Sequence, residues 1–522
     1  MNRTTSLLSV AALLSLVAVG CTDPAVAPKS TVTSANIFND PNSYRAFLAK
    51  IYGGLIVTGQ RGPDGNPDIA GIDEGFGEYL RLYWYLQEMP TDEAVIGWND
   101  PGLPDLNTGT WSASNSMVNA MYYRVFYQVM LVNEFLRQST DAKLAERNQN
   151  DPTLIANVHF YRAEARFLRA LSYWHGIDLF ANIPLVTEND PLGATPPQQS
   201  TRADIYNYVV TELNDIIADL PPKGASTYAR ATPEAAHMLL AKLYLNAGVY
   251  TGTPNYSGAL AEAAAVITGG YTLDASFVHN FQADNHTSPE LVFVAAQDGN
   301  STQTWGGMTF LIHAGCGGSM SASNYGIDFC WGGYRMKQQA YRLFGAGDGR
   351  TAFFWTTGQQ DSVADRGNFS HGIAAPKFTN KTSGGANGAQ SGMVDTDFPI
   401  FRLADAYLMY VEANIRGGGG NAATALSYLN AIRQRAYGNT TANFAALPAV
   451  DTILAERSRE LLFEAQRRTD LVRFGVFSGA TYLWAWKGGS AGGSALGTFR
   501  DIYPLPANEL IANPNLTQNP GY

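Results

Sequence analysis

Charge is scarce in this chain. Asp, Glu, Lys and Arg together make up 15% of its 522 residues, against about 25% in an ordinary soluble protein. What charge there is leans acidic, at a formal net −10, which argues against nucleic acid or anionic headgroups as partners. Cysteine is nearly absent: Cys21, Cys316 and Cys330 are too few for a disulfide scaffold or a thiolate metal centre. The seven His residues include no pair at zinc spacing. Beyond the N-terminus no apolar run approaches the roughly 20 residues that span a bilayer. No nucleotide or cofactor motif appears, so no cofactor or metal is expected.

The N-terminus carries a short apolar run. Arg3 precedes residues 7–19, and Ala18-Val19-Gly20-Cys21 closes the run with small side chains. The pattern predicts a secretory signal over residues 1–20, too short for a membrane span. Its end is similar to a bacterial lipobox, with Ala18 where Leu is more usual, which makes Cys21 a candidate for acylation and membrane anchoring. Residues 21–36, rich in Pro, Thr, Ser and Ala, read as a tether. In an exported chain Cys316 and Cys330, 14 positions apart, are expected to pair and to close a loop rich in Gly, Ser and Asn.

Apolar periodicity predicts helices over 42–56, 116–138, 157–178, 257–268, 403–415, 422–435 and 451–474. Thr201-Arg202-Ala203-Asp204 is a capping box, and Ile205, Val209, Leu213 and Ile216 form the stripe behind it. Thr232-Pro233-Glu234 opens another helix. The expected fold is mainly α, a tetratricopeptide-like helical solenoid over about 37–270 and 400–522. Residues 275–398 lose the period, apart from a possible strand at 291–294, and read as a long loop-rich, partly β insertion that binds ligand.

Three motif matches lack the structural context their chemistry needs. Gly488-Gly489-Ser490-Ala491-Gly492 matches G-x-S-x-G but lies in a Gly/Ser loop rather than a strand–turn–helix. Gly345-Ala346-Gly347-Asp348-Gly349 follows a helix, not a strand. Asp64-Gly65-Asn66-Pro67-Asp68 begins like a calcium loop and lacks its end.

Several segments together resemble the SusD/RagB family of outer-membrane nutrient-binding lipoproteins. They are Glu164-Ala165-Arg166-Phe167-Leu168-Arg169-Ala170, the stretch 232–246, Phe401-Arg402-Leu403-Ala404-Asp405-Ala406, Glu456-Arg457-Ser458-Arg459-Glu460-Leu461, Asp470-Leu471-Val472-Arg473-Phe474 and the ending Tyr503-Pro504-Leu505-Pro506 to Asn519-Pro520-Gly521-Tyr522. The resemblance runs in order over nearly all of 37–522. It implies a helical scaffold, an exterior-facing outer-membrane lipoprotein anchored through Cys21, and a SusC-like TonB-dependent transporter as partner. It also implies capture of a glycan or oligosaccharide without chemistry on it. A peptide receptor, a purely structural lid for the transporter, and a helical glycoside hydrolase are the alternatives.

A neutral saccharide offers flat CH faces and hydroxyls, so its site needs open rings beside fixed polar groups. The loops supply Trp98 beside Asn99 and Asp100, Trp305, Tyr325, Asp328, and Trp331 next to Tyr334 and Arg335. These are the candidate ligand-binding residues. The Glu456–Glu464 charges, by contrast, read as ties between helices, and Trp174 and Tyr407 as core. Trp484 and Trp486 read as packing or transporter contact.

Overall fold

The computed structural model describes residues 36–522 apart from 61, 64, 66, 192 and 194. Cys21, the leader and the tether up to residue 35 lie outside the described residues, as do Asp64 and Asn66 of the calcium-like run. The chain divides into two units, residues 1–43 and 44–522. In the first, a 3₁₀ turn, Ile37–Asn39, precedes the opening residues of helix α1 (Asn42–Gly53). All other elements belong to the second.

The longer helices there are α2 (Tyr79–Glu88), α3 (Ser116–Gln138), α4 (Pro152–Phe180), α5 (Arg202–Ile216), α6 (Pro233–Leu245), α7 (Tyr256–Thr268), α8 (Gly307–Gly315), α9 (Leu403–Ile415), α10 (Ala422–Tyr437) and α11 (Val450–Leu461). Helix accounts for about 48% of the chain and sheet for little, so the fold is mainly α. Among the described residues no helix is long and apolar enough to cross a membrane.

Local chemistry sets the helix ends. Asn115 accepts hydrogen bonds from the Met117 and Val118 N–H groups and starts α3 at the residue the periodicity predicts. α4 begins five residues before the expected 157, because Asp151 caps it and Pro152 fits the first turn. Thr201 accepts from Asp204 N–H, so the capping box holds; Thr232 occupies the N-cap of α6 without a side-chain cap bond. Packing then runs from neighbour to neighbour: α3 on α4, α4 on α5, α5 on α6, α6 on α7, α7 on α9, and α9 on α10 and α11.

The strands come in antiparallel pairs. β1 (Ala94–Ile96) pairs with β5 (Tyr334–Met336), β2 (Ile183–Pro184) with β3 (Gln199–Ser200), and β4 (Leu291–Ala295) with β6 (Phe398–Arg402). The aperiodic stretch 275–398 is thus tied down by β4 near its start and by β5 in its middle. It also contains α8, a helix in a stretch whose sequence shows no helical period.

One expected helix is two. α11 stops at Leu461, and a short helix, Arg467–Arg473, follows after Phe463 and Ala465 take left-handed φ values of 62° and 57°. Non-glycine residues reach this region at a cost of roughly 1–3 kcal/mol. Buried partners hold the turn: Trp84 Nε1–H donates to the Phe463 carbonyl at 3.0 Å, and Glu93 accepts from Phe463 N–H at 3.2 Å.

The charged face of α11 does not meet solvent. Glu456, Arg457, Glu460 and Glu464 are buried. Arg350 pairs with Asp348, Glu456 and Glu460 at 2.8–3.0 Å. Arg402 reaches Glu290, Glu460 and Glu464 at 2.7–2.8 Å. Arg457 joins Asp405 to Asp470. Together with Arg433 and Arg435 of α10, which reach Glu456 and Glu290, these pairs link α9, α10 and α11 with β6 and the residue before β4, the tying role expected of them. Trp174 is core; Tyr407 is only half-buried and stacks on Tyr428 at 4.5 Å.

Candidate functional site

The first turn of α2 anchors the site. Glu78 caps it, accepting from Leu80 and Arg81 N–H at 2.7 Å each, and also accepts from Gly307 N–H at 2.8 Å. One buried carboxylate therefore binds the start of α2 to the start of α8. Burial pushes its pKa up to about 7 against the pull of those N–H groups and of Arg124. Arg81, one turn on, donates to Tyr85 Oη at 2.9 Å and to the carbonyls of Gly75 and Trp305 at 3.1 and 2.8 Å. Its guanidinium lies 4.4 Å from the Phe310 ring centre and 5.9 Å from that of Trp98.

β1 delivers Trp98 two residues past its end. Asn107 fixes that end by bonding both Ile96 N–H (3.1 Å) and Ile96 C=O (2.9 Å). Trp331 arrives from the other direction. Its N–H donates to His313 C=O, that of Gly332 to Cys316 C=O and that of Gly333 to Ala314 C=O, all at 2.8–2.9 Å. Cys316 and Cys330 are disulfide-bonded with a Cα–Cα distance of 4.8 Å. Residues 330–333 are thereby laced to the C-terminal end of α8.

The result is a cluster of rings centred on Trp331. Its indole lies 6.4 Å from Trp98, 6.0 Å from Trp305 and 6.3 Å from Phe329, and stacks on the buried His313 at 4.7 Å and 30°. Trp98, Trp305 and Trp331 are half-buried, and Phe329 is 54% exposed at the rim. Gly333 lets Trp98 close in: a Cβ there would stand 2.8 Å from Trp98 Cζ2 and 2.7 Å from Ala314 Cβ. The three expected tryptophans, scattered over more than 200 positions, meet at one place. Phe329 was missed; its one sequence signal is its place between Asp328 and the bonded Cys330.

The remaining expected residues divide. Asp328 is exposed, accepts from Phe329 N–H at 2.8 Å and lies 3.7 Å from His313 Nδ1, which donates to the Phe329 carbonyl at 2.9 Å. Tyr325 is half-buried on the 3₁₀ turn Ala322–Tyr325, and its ring is not among those packed on Trp331. Tyr334 and Arg335 are corrected outright, because β5 pairs with β1 and carries both inward. Tyr334 is fully buried between Trp84 and Phe463 and donates to Leu311 C=O at 2.8 Å. Arg335 spends its donors on the carbonyls of Gly333, Arg366, Asn368 and His371, a staple for that loop, and burial lowers its pKa to about 10. Trp484 is core, and Trp486 donates to Val363 C=O at 2.8 Å.

What converges here is ring area, with Asp328 as the carboxylate beside it. No group of three metal-ligating side chains occurs among the described residues.

Comparison with known proteins bears on what such a surface serves. A profile described as "SusD family" matches residues 330–522, and one described as "Starch-binding associating with outer membrane" matches residues 98–245. The starch-binding protein SusD of Bacteroides thetaiotaomicron is 32% identical over 530 aligned positions, covering 91% of each chain. The chain belongs to the SusD family. A SusD-like protein of Bacteroides ovatus is 24% identical over 90% of this chain and 82% of its own. Among solved structures, surface glycan-binding protein A of Bacteroides thetaiotaomicron in complex with laminarihexaose superposes with a TM-score of 0.70 at 19% identity, over 91% of this chain and 98% of that one; the likeness is one of fold. In this SusD-family protein the two profile matches take in Trp98 and Trp331, while Trp305 lies between them.

Proposed function

We propose that this SusD-family protein captures neutral glycan chains on the arc of Trp98, Trp305, Trp331 and Phe329, without chemistry on them. The convergence of three separately encoded tryptophans with open ring area carries the reading. A sugar face covering about 50 Å² of ring contributes ~1.2 kcal/mol at ~25 cal/mol/Å². Four such rings give about 5 kcal/mol before ordering costs, a millimolar regime for one short chain that repeated contacts on a polymer strengthen. Asp328 sits where it would accept from sugar hydroxyls. The names of the relatives, a starch-binding protein and a laminarihexaose complex, support the substrate class.

The wider reading is of an exterior outer-membrane lipoprotein, held by acylated Cys21, that passes its glycan to a SusC-like TonB-dependent transporter. The profile described as associating with outer membrane supports the location. The neighbour-to-neighbour helix packing supports a tetratricopeptide-like scaffold. The test is affinity electrophoresis in starch and laminarin, with reducing-end assays and a peptide mixture as control. Retention without new ends, lost in Trp98→Ala/Trp331→Ala, is the expected result. New reducing ends, peptide binding alone, or retention indifferent to both tryptophans would overturn it.

A further inference from the structure

A second concavity shares no residue with the arc. Pro221 and Pro222 stop the chain after α5, and the segment leading to α6 turns back over β4, leaving a cleft of about 250 Å³ between them. Leu291, Val292, Phe293 and Val294 form its apolar floor. Thr227 shapes the facing wall, its hydroxyl donating to the carbonyls of Pro222 and Gly224 at 2.9 and 3.0 Å.

Tyr228 stands in this cleft with an open ring, 37% exposed. Its hydroxyl donates to the buried Asp397, and His286 meets it edge-on at 6.3 Å and 73°. The hydroxyl bond and the His286 contact fix the ring while part of it stays open, so little freedom is lost when a ligand covers it. Polar groups stand around the ring. Lys223 Nζ donates to Gly270 C=O at 2.5 Å and lies 3.6 Å from the Tyr271 ring centre. The buried Thr232 hydroxyl lies beside the Tyr271 phenol yet makes no hydrogen bond of proper geometry. Ser288 lines the same space.

An apolar floor, one rigid open ring and a few hydroxyl and ammonium groups suit a pyranose: CH face on the ring, hydroxyls to the polar rim. The volume falls below the roughly 300 Å³ at which pockets for larger ligands begin. It therefore suits one ring rather than a chain. We infer that the cleft of Tyr228 is a second sugar subsite, taking a single neutral pyranose or the terminal ring of a chain. It extends the glycan reading but depends on none of the arc residues.

Saturation-transfer NMR with D-glucose, D-galactose and D-mannose tests this on the full protein. Trp98→Ala/Trp331→Ala should keep the monosaccharide signal of at least one sugar. Tyr228→Ala should abolish that signal, Tyr228→Phe should retain it, and Ala225→Trp, an exposed change at the cleft mouth, should block it with Tyr228 intact. Circular dichroism checks that each variant is folded. No signal in the tryptophan double variant, or an unchanged signal in both Tyr228→Ala and Ala225→Trp, overturns the subsite. Polysaccharide retention is read separately: if it survives in the double variant, the arc reading fails while the cleft stands.

Discussion

Trp331 is the side chain on which the arc turns, since Trp98, Trp305 and Phe329 each touch it. Removing it uncovers His313, whose pKa burial holds below the ordinary histidine value. Trp331→Ala is therefore expected to abolish glycan retention, to cost about 1–2 kcal/mol because only part of a buried-Trp loss applies, and to let the His313 pKa return toward its usual 6.5. A ¹⁵N-resolved histidine titration reads the last effect, and an unmoved His313 would refute the stacking role. Gly333 gives a gentler test. Its added methyl would collide with Trp98 Cζ2 and Ala314 Cβ. Gly333→Ala should thus weaken retention by tilting Trp98 while the fold survives; unchanged retention would show that Trp98's placement is irrelevant to binding.

At the level of elements, the disulfide and three backbone bonds hold residues 330–333 to α8 redundantly. The Cys316→Ser/Cys330→Ser variant should lose roughly 3 kcal/mol of stability, the value for a loop of about 15 residues, and bind glycan more weakly while remaining folded. Binding unaltered by the exchange would mean the backbone lacing alone positions Trp331. Much at this scale was legible: α3 and α5 declare themselves through caps and a 3.6-residue apolar stripe. α8 did not, because every residue of Gly307–Gly315, Thr309 and His313 included, is buried, so no solvent-facing polar side sets a period. The break after α11 was hidden for another reason. Phe463 and Ala465 carry no glycine signal; Trp84 and Glu93, some 370 positions upstream, impose their backbone. Tyr334 and Arg335 were misplaced likewise, since the strand that turns them inward, β1, lies 240 residues away. The tryptophans were legible as residues marooned in polar loops, but their meeting was not, because long-range register has no local signature.

Across residues 44–522 a large share of the few charges is buried and paired in the interior. The interior network gives stability two opposed pH dependences. Glu460, Asp405 and Glu456 are pulled below the ordinary carboxylate range by Arg435, Arg402, Arg350, Lys242 and Arg457 despite burial, Glu456 to about 2. They stabilise the fold above their unfolded pKa values, 4.5 for the two Glu and 3.8 for Asp405, and that contribution is lost as pH falls through their lowered values. Glu78 and Glu93 have the other sign: burial raises both to about 7, so at neutral pH they cost stability, which returns as protons bind. The melting temperature should therefore rise as pH drops from about 8 to about 5.5 and fall steeply below about 4. Glu460→Gln leaves Arg402, Arg435 and Arg350 facing one carboxylate fewer, and breaking such a buried pair costs about 3–5 kcal/mol. Its melting temperature should drop at pH 7 by more than at pH 3, where protonation of Glu460 in the unfolded chain has already removed part of the same contribution. A loss equal at both values would mean that Glu460 acts by packing rather than by charge, and that the network does not govern the acid limit of the fold.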